Sequence, residues 1–206
     1  MPHRTPEDER LGGAPALHPV PLEGGLVHST ADRRLATEHW LLSAHPSPGR
    51  AQQEWQQTGM VVLPLGGLFS AVRIPGRLVQ AVATSTCPDD IDATLEEVLG
   101  GGPVICDLRG PRYYVLVPAS VPINWKQAAD NWRLADVTCL GRGTHLGVPR
   151  LDVVRPEPGA TSYWSVPMPS AAELTSTLAV ARLIVAGVHR LAEEAEPWLV
   201  DRARAR

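Results

Sequence analysis

The chain has 206 residues, a net charge of −3, and 44% hydrophobic and 20% charged side chains, a balance typical of one globular domain with a real core. No apolar run reaches the roughly 18 residues of a membrane-spanning helix, and the first residues lack a signal peptide's apolar stretch. The sequence therefore predicts a cytoplasmic protein without a membrane partner. Its three cysteines have no Cys-x-x-Cys spacing, which argues against a disulfide framework and a zinc site.

The small net charge conceals an uneven distribution along the chain. Residues 1–103 carry 7 basic and 12 acidic side chains, residues 104–155 carry 7 and 4, and residues 156–206 carry 5 and 6. All but one of the cations are arginines, a usage typical of GC-rich, actinobacterial genomes. Only the middle of the chain is basic, which excludes a nucleic-acid binder that uses its whole surface and permits a local anion site.

The first half of the chain predicts a tail followed by two helices, two strands and two further helices. Residues 1–30 are rich in Pro, Gly and charge without apolar periodicity, which predicts a disordered tail. Asp32 is the predicted N-cap of a first helix, and Gly59 ends a second. Further along, the pattern predicts strands over 60–65 and 68–75, joined by Gly66-Gly67, and helices over 76–83 and 93–99.

The stretch 101–149 carries the clearest strand pattern. Segments 104–107 and 112–118 are apolar, rich in β-branched and aromatic residues, and joined by a short Gly-Pro turn, so they predict a hairpin. A glycine-rich turn leads to a strand near 145–149, and a strand over 161–166 precedes a long helix that Ser170 caps and Pro197 ends. The predicted class is α+β, with a mostly antiparallel central sheet, flanking helices and a long C-terminal helix. We predict one domain over residues 31–200 and a basic tail over 201–206.

Two acidic segments are candidate metal ligands. Asp90-Ile91-Asp92 has Asp-x-Asp spacing, but polar residues precede it and a helix follows, so acidity in a first helical turn explains it. Asp107 ends an apolar strand, where a metal ligand could be placed. It also begins a turn, where aspartate is favoured on conformational grounds. Asp107 is the best candidate metal ligand, with both interpretations open.

Five side chains are candidates for binding a nucleotide or nucleic acid. Arginine forks bind phosphate through paired hydrogen bonds, and the arginines of this set lie in or beside predicted strands and tight turns. Three of them, on two strands and the glycine turn, are expected to face one concave surface. The alternative is that they are ordinary surface cations of an arginine-rich chain. The set is Arg73, Arg109, Arg112, Arg142 and His145, and the three expected to share a surface are Arg73, Arg112 and Arg142.

Four motifs between residues 50 and 166 form a set. Trp55 and Gly59 precede the strand over 60–65, segment 110–118 has the form of a glycine turn entering an aromatic strand, and segment 141–149 is a second glycine turn before a strand. Tyr163-Trp164 completes the set. Together they resemble the N-terminal domain of bifunctional DNA primase/polymerases of the archaeo-eukaryotic primase type. The resemblance implies an α+β fold with an acidic site for two metal ions that serve nucleotidyl transfer.

The catalytic positions of that family are not matched. The position of its hairpin histidine falls near Arg112, that of its late aspartate falls near Thr138 with Asp136 two residues away, and no predicted strand ends in Asp-x-Asp. Two divalent ions about 4 Å apart need several converging carboxylates. We therefore predict a catalytically degenerate domain without a cofactor, an accessory module that binds a nucleotide or single-stranded DNA.

Two alternatives stay open. The first is an active, divalent-metal-dependent DNA primase/polymerase that uses Asp107 with Asp136 or Asp152. The second is a protein-interaction domain whose interface is the C-terminal helix. Nucleotide binding that requires manganese favours the first alternative, and absence of nucleotide binding favours the second.

Overall fold

The computed structural model describes residues 29–204 and the side chains of residues 29–195. Residues 1–28 of the predicted tail lie outside the described residues. The strands are β1 (Met60–Pro64), β2 (Phe69–Pro75), β3 (Val104–Asp107), β4 (Arg112–Pro118), β5 (Thr138–Leu140), β6 (His145–Pro149) and β7 (Ser162–Val166). The helices are α1 (Thr30–Leu42), α2 (Pro48–Thr58), α3 (Gly76–Ala83), α4 (Pro88–Leu99), α5 (Val121–Asn124), α6 (Lys126–Trp132) and α7 (Thr177–Arg204), and a 3-10 turn (Arg133–Ala135) follows α6.

A five-stranded sheet in the order β5-β2-β4-β3-β7 forms the centre of the molecule, and all its neighbouring strands are antiparallel. β3 and β4 form the predicted hairpin, with Asp107 opposite Arg112. The sheet, the flanking helices and the long C-terminal helix confirm the predicted α+β class. No helix in the described part of the chain is long and apolar enough to cross a membrane.

β1 and β6 form a separate two-stranded antiparallel sheet, with Val61 opposite Val148 and Leu63 opposite Leu146. All four side chains are buried, as period-two alternation requires of a strand with one face on a core. The predicted turn at Gly66-Gly67 does separate β1 from β2. β1 and β2 then join different sheets. The apolar pattern of a strand does not indicate which sheet it joins.

The two faces of the large sheet are covered by different elements. α3, α4 and α7 pack on one face, over a core that includes Val72, Val115 and Leu183. α1, α2 and the small sheet cover part of the other face, over a core that includes Leu116 and Trp164. The result is a layered α+β arrangement with the large sheet in the middle.

Two tryptophans connect the small sheet to its surroundings. The indole Nε1 of Trp55, on α2, donates a hydrogen bond to the carbonyl oxygen of Val148 at 3.0 Å. The indole Nε1 of Trp164, on β7, donates to the carbonyl oxygen of Pro149 at 3.1 Å. Both acceptors lie on β6, so this strand is held from the helix side and from the large sheet.

The structure corrects both ends of the predicted helical pattern. Ser29, rather than Asp32, caps α1: the Asp32 amide donates to Ser29 Oγ at 3.1 Å and the Ser29 amide donates to Asp32 Oδ2 at 3.1 Å, a reciprocal capping box. α7 begins at Thr177 instead of after Ser170, because Ala172 has a φ of 64° that interrupts the helical backbone. The helix also continues past Pro197 to Arg204, so the missing proline amide does not end it.

Candidate functional site

A cleft of about 390 Å³ lies where the small sheet leaves one end of the large sheet uncovered. Arg73, Tyr114 and Asp107 line it from β2, β4 and the end of β3, and Met60 and His145 line it from β1 and β6. The site is therefore built from both sheets, and its shape depends on how they dock.

Strand register explains why these side chains meet. Arg73 is opposite Tyr114, and Tyr114 is opposite Ile105, so the three side chains share one face of the sheet. Asp107 and Arg112, two residues further along β3 and β4, lie on the same face. Leu116, two residues from Tyr114 on the same face of β4, is fully buried. The cleft therefore begins between Leu116 and Tyr114.

Arg73 is the cation placed deepest in this arrangement. Its side chain is half-buried, and its Nη2 donates a hydrogen bond to Thr138 Oγ1 on β5 at 3.1 Å. Among the described residues it forms no salt bridge with a carboxylate. Withdrawing a cation from water without an anionic partner costs free energy, so this guanidinium is positioned to gain from an anion in the cleft.

Asp107 and Arg109 reach the cleft from the β3–β4 turn. The Arg109 amide donates to Asp107 Oδ1 at 3.0 Å, which is the turn-forming role that aspartate favours. Both side chains also line the cleft. Asp107 can therefore serve both as a turn residue and as a binding residue. Oδ1 accepts the hydrogen bond of the turn, and no described residue donates a hydrogen bond to Oδ2.

The pKa of the Tyr114 hydroxyl is affected by burial and by the charges in the cleft. Burial raises the pKa of its hydroxyl, Asp107 raises it further, and Arg73 and Arg112 lower it. The hydroxyl is therefore protonated at neutral pH and can donate a hydrogen bond in the cleft.

Of the five predicted binding residues, the structure brings Arg73, Arg109 and His145 into this cleft. Arg112 is exposed on the same face, opposite Asp107.

Arg142 does not reach this cleft. It lines a separate cleft of about 450 Å³ with Gly66. Gly66 has a φ of 82°, and a Cβ on it would collide with the Arg142 backbone nitrogen, so the loops pack too closely for another residue. The expected concave surface shared by Arg73, Arg112 and Arg142 is therefore not formed.

The acids of the enzyme alternative lie apart. Asp136 pairs with Arg77 at 3.9 Å, and Asp152 pairs with Arg150 at 2.6 Å; neither lines the cleft. Asp107 is the single carboxylate among the described residues that line it. No group of three or more His, Cys, Asp or Glu side chains suited to a metal occurs in the described part of the chain. These donors do not fit the two-metal centre that the family resemblance implies.

An apolar groove of about 690 Å³ lies between α3, α6 with its 3-10 turn, and α7. Leu134, Val185 and Val188 line it and are 92%, 67% and 43% exposed. This groove is where the alternative of a protein interface on the C-terminal helix would lie.

The role of Asp92 was not predicted from the sequence. Asp90 does lie in the first turn of α4, as predicted, together with Asp89. The Asp92 carboxylate instead faces the sheet, where Oδ1 accepts hydrogen bonds from the hydroxyls of Tyr163, at 3.1 Å, and Ser165. It therefore fixes α4 to β7 on the face opposite the cleft.

Asp92 gives stability a predictable pH dependence. Burial raises the pKa of its carboxyl, while the hydrogen bonds from Ser165 and Tyr163 lower it; the net shift is upward. The folded protein thus binds this proton more tightly than the unfolded chain, and stability is lost as pH rises from the ordinary aspartate pKa through the raised one.

Replacing Asp92 by asparagine should remove that loss, because the amide stays neutral and its oxygen can still accept both hydroxyls. The free energy of unfolding of Asp92→Asn, relative to that of the wild type, should therefore be higher at about pH 7 than at about pH 4. Urea unfolding of both proteins at each pH measures the change. A difference between the two proteins that is the same at both pH values would contradict the account.

Comparison with known protein families, curated proteins and solved structures finds no match to this chain. The α+β class follows from the structure itself. The primase/polymerase resemblance stays a prediction, and nucleotide binding in the cleft is the property to test.

Proposed function

We propose that the chain is a primase/polymerase-like domain without polymerase activity, an accessory module that binds a nucleotide in the cleft between its two sheets. The observation that carries the proposal is Arg73, a half-buried cation whose described polar partner, Thr138, is neutral. A phosphate group would supply the missing charge through paired hydrogen bonds to the guanidinium.

The surroundings of Arg73 support the same ligand class. Arg109 and His145 add hydrogen-bond donors from the β3–β4 turn and from β6. The positive charge of Arg112 is close enough to lower the pKa of Tyr114 in the same cleft. The volume of about 390 Å³ is within the range of small-molecule sites. The half-buried Leu140 provides apolar wall on which a base can pack.

The absence of catalysis is part of the proposal. Nucleotidyl transfer through two divalent ions needs several carboxylates to hold them and to position the attacking oxygen, and the described cleft offers Asp107 alone. The residues present can attract and orient phosphate, which is sufficient for binding.

Isothermal titration with adenosine triphosphate, with and without manganese, tests the proposal. We expect metal-independent binding that weakens as salt is added, because a few arginine–phosphate contacts carry it. In parallel, the protein should form no primer-extension product with magnesium or manganese. Binding that requires manganese, together with template-dependent product, would establish the enzyme alternative.

A single-stranded oligonucleotide titrated in the same buffer separates the remaining possibilities. Binding of the oligonucleotide but not of adenosine triphosphate would replace the nucleotide by DNA as the ligand. No binding of either at low salt would refute the anion site and leave the interaction-domain alternative.

A further inference from the structure

Ser162 is a buried polar side chain without a partner, and it lines the cleft. The residue is 9% exposed, and its Oγ forms no hydrogen bond with the described residues. An unpaired buried hydroxyl costs free energy, and such groups in native proteins call for an explanation. The only other one in the described part of the chain, that of Thr175, lies beside Gly102 and does not line the cleft.

Strand pairing places this hydroxyl beside a carboxylate. Ser162 on β7 is directly opposite Asp107 on β3, and the side chains of such a pair share one face at about 5 Å between Cβ atoms. Asp107 Oδ1 accepts the Arg109 amide at 3.0 Å, and no described residue donates a hydrogen bond to Oδ2. A free acceptor on Asp107 therefore lies beside an unpaired hydroxyl that is buried in the cleft wall.

This pair suits neighbouring hydroxyl groups on a ligand. A carboxylate oxygen accepts from one hydroxyl, and a serine hydroxyl can donate to or accept from the next. Phosphate is a poor match for this position, since it would approach the negative charge of Asp107. The cleft thus combines cations at Arg73 and Arg109, apolar wall at Leu140, and a hydroxyl-binding pair at its edge strand.

We infer that the cleft selects nucleotides with a free sugar diol, and that Ser162 and Asp107 bind the two ribose hydroxyls. The three parts of the cleft correspond to the three parts of a ribonucleotide: phosphate, base and sugar. The inference rests on the proposed nucleotide-binding function and adds which sugar the site prefers.

The test compares adenosine triphosphate with its analogue lacking both ribose hydroxyls, in the wild type and in Ser162→Ala. The wild type should bind the ribonucleotide at least about tenfold more tightly than the analogue, because one of the two hydrogen bonds is to the charged carboxylate of Asp107. In Ser162→Ala, affinity for the ribonucleotide should fall toward that of the analogue, whose own affinity stays unchanged. The ligand-free variant should melt no lower than the wild type, because the deleted hydroxyl has no partner to lose.

The outcomes separate the inference from the proposed function. Equal binding of both nucleotides by the wild type, or the same preference in Ser162→Ala, overturns the diol site while leaving nucleotide binding intact. A marked fall in the melting temperature of ligand-free Ser162→Ala also overturns it, since the hydroxyl would then serve the fold. If neither nucleotide binds the wild type, the proposed function itself fails.

Discussion

Replacing Trp164 by alanine should lower the free energy of unfolding by about 3–5 kcal/mol, the range for removing a large aromatic side chain from a core. The residue is fully buried between the large sheet and the elements packed on it. Its Nε1 donates to the Pro149 carbonyl oxygen on β6 at 3.1 Å. The substitution thus leaves both a cavity and an unpaired acceptor at the junction of the two sheets. Urea unfolding measures the loss.

Two control variants separate the contributions. Trp164→Phe keeps most of the ring and removes the hydrogen bond to Pro149, so it should cost less than the alanine variant. Leu134→Ala removes a side chain that is 92% exposed and should change stability by no more than about 0.5 kcal/mol. A Trp164→Ala protein as stable as Leu134→Ala would contradict the packing described for the sheet junction.

Changing Arg73 and Arg109 together to glutamine should abolish measurable nucleotide binding. A hydrogen bond to a charged group contributes about 1.5–3 kcal/mol, so each arginine that contacts phosphate accounts for about tenfold to a hundredfold in Kd. Glutamine keeps part of the length and polarity of arginine and removes the charge. Calorimetric titration with adenosine triphosphate at low salt compares the variant with the wild type.

Arg142→Gln is the matched control. It removes an exposed arginine of the same predicted set that lines a different cleft, so its Kd should stay close to that of the wild type. Loss of binding in Arg142→Gln, with retention in the Arg73 and Arg109 double variant, would move the anion site to the glycine-turn cleft. Circular dichroism of each variant checks that the fold is retained.

Local patterns were sufficient to predict most elements of the fold. β3, β4 and α3 occur where apolar runs, Gly-Pro turns and helical spacing placed them, and the β3–β4 hairpin forms as expected. The division into two sheets was not predicted. The pairing of β1 with β6 joins segments about 85 residues apart, and strand patterns do not encode which strands pair across such a distance.

The candidate site was predicted in part, for the same physical reason. Arg73 and Arg109 were recognisable because each lies in or beside a strand or turn with a strong sequence signal. Arg142 was grouped with them because the glycine turn was expected on the same side of the sheet, whereas it packs against Gly66. Ser162 carried no sequence signal, since its importance comes from the register with Asp107 on another strand.

Backbone amide NMR during a titration with adenosine triphosphate tests most directly whether the cleft between the sheets is the binding site. Binding in this cleft should produce the largest shift changes on β2, β4 and the β3–β4 turn, around Arg73, Tyr114 and Arg109, and these changes should be absent from the Arg73 and Arg109 double variant. Shift changes confined to the apolar groove at Leu134 and α7, or no shift changes at low salt, would contradict it.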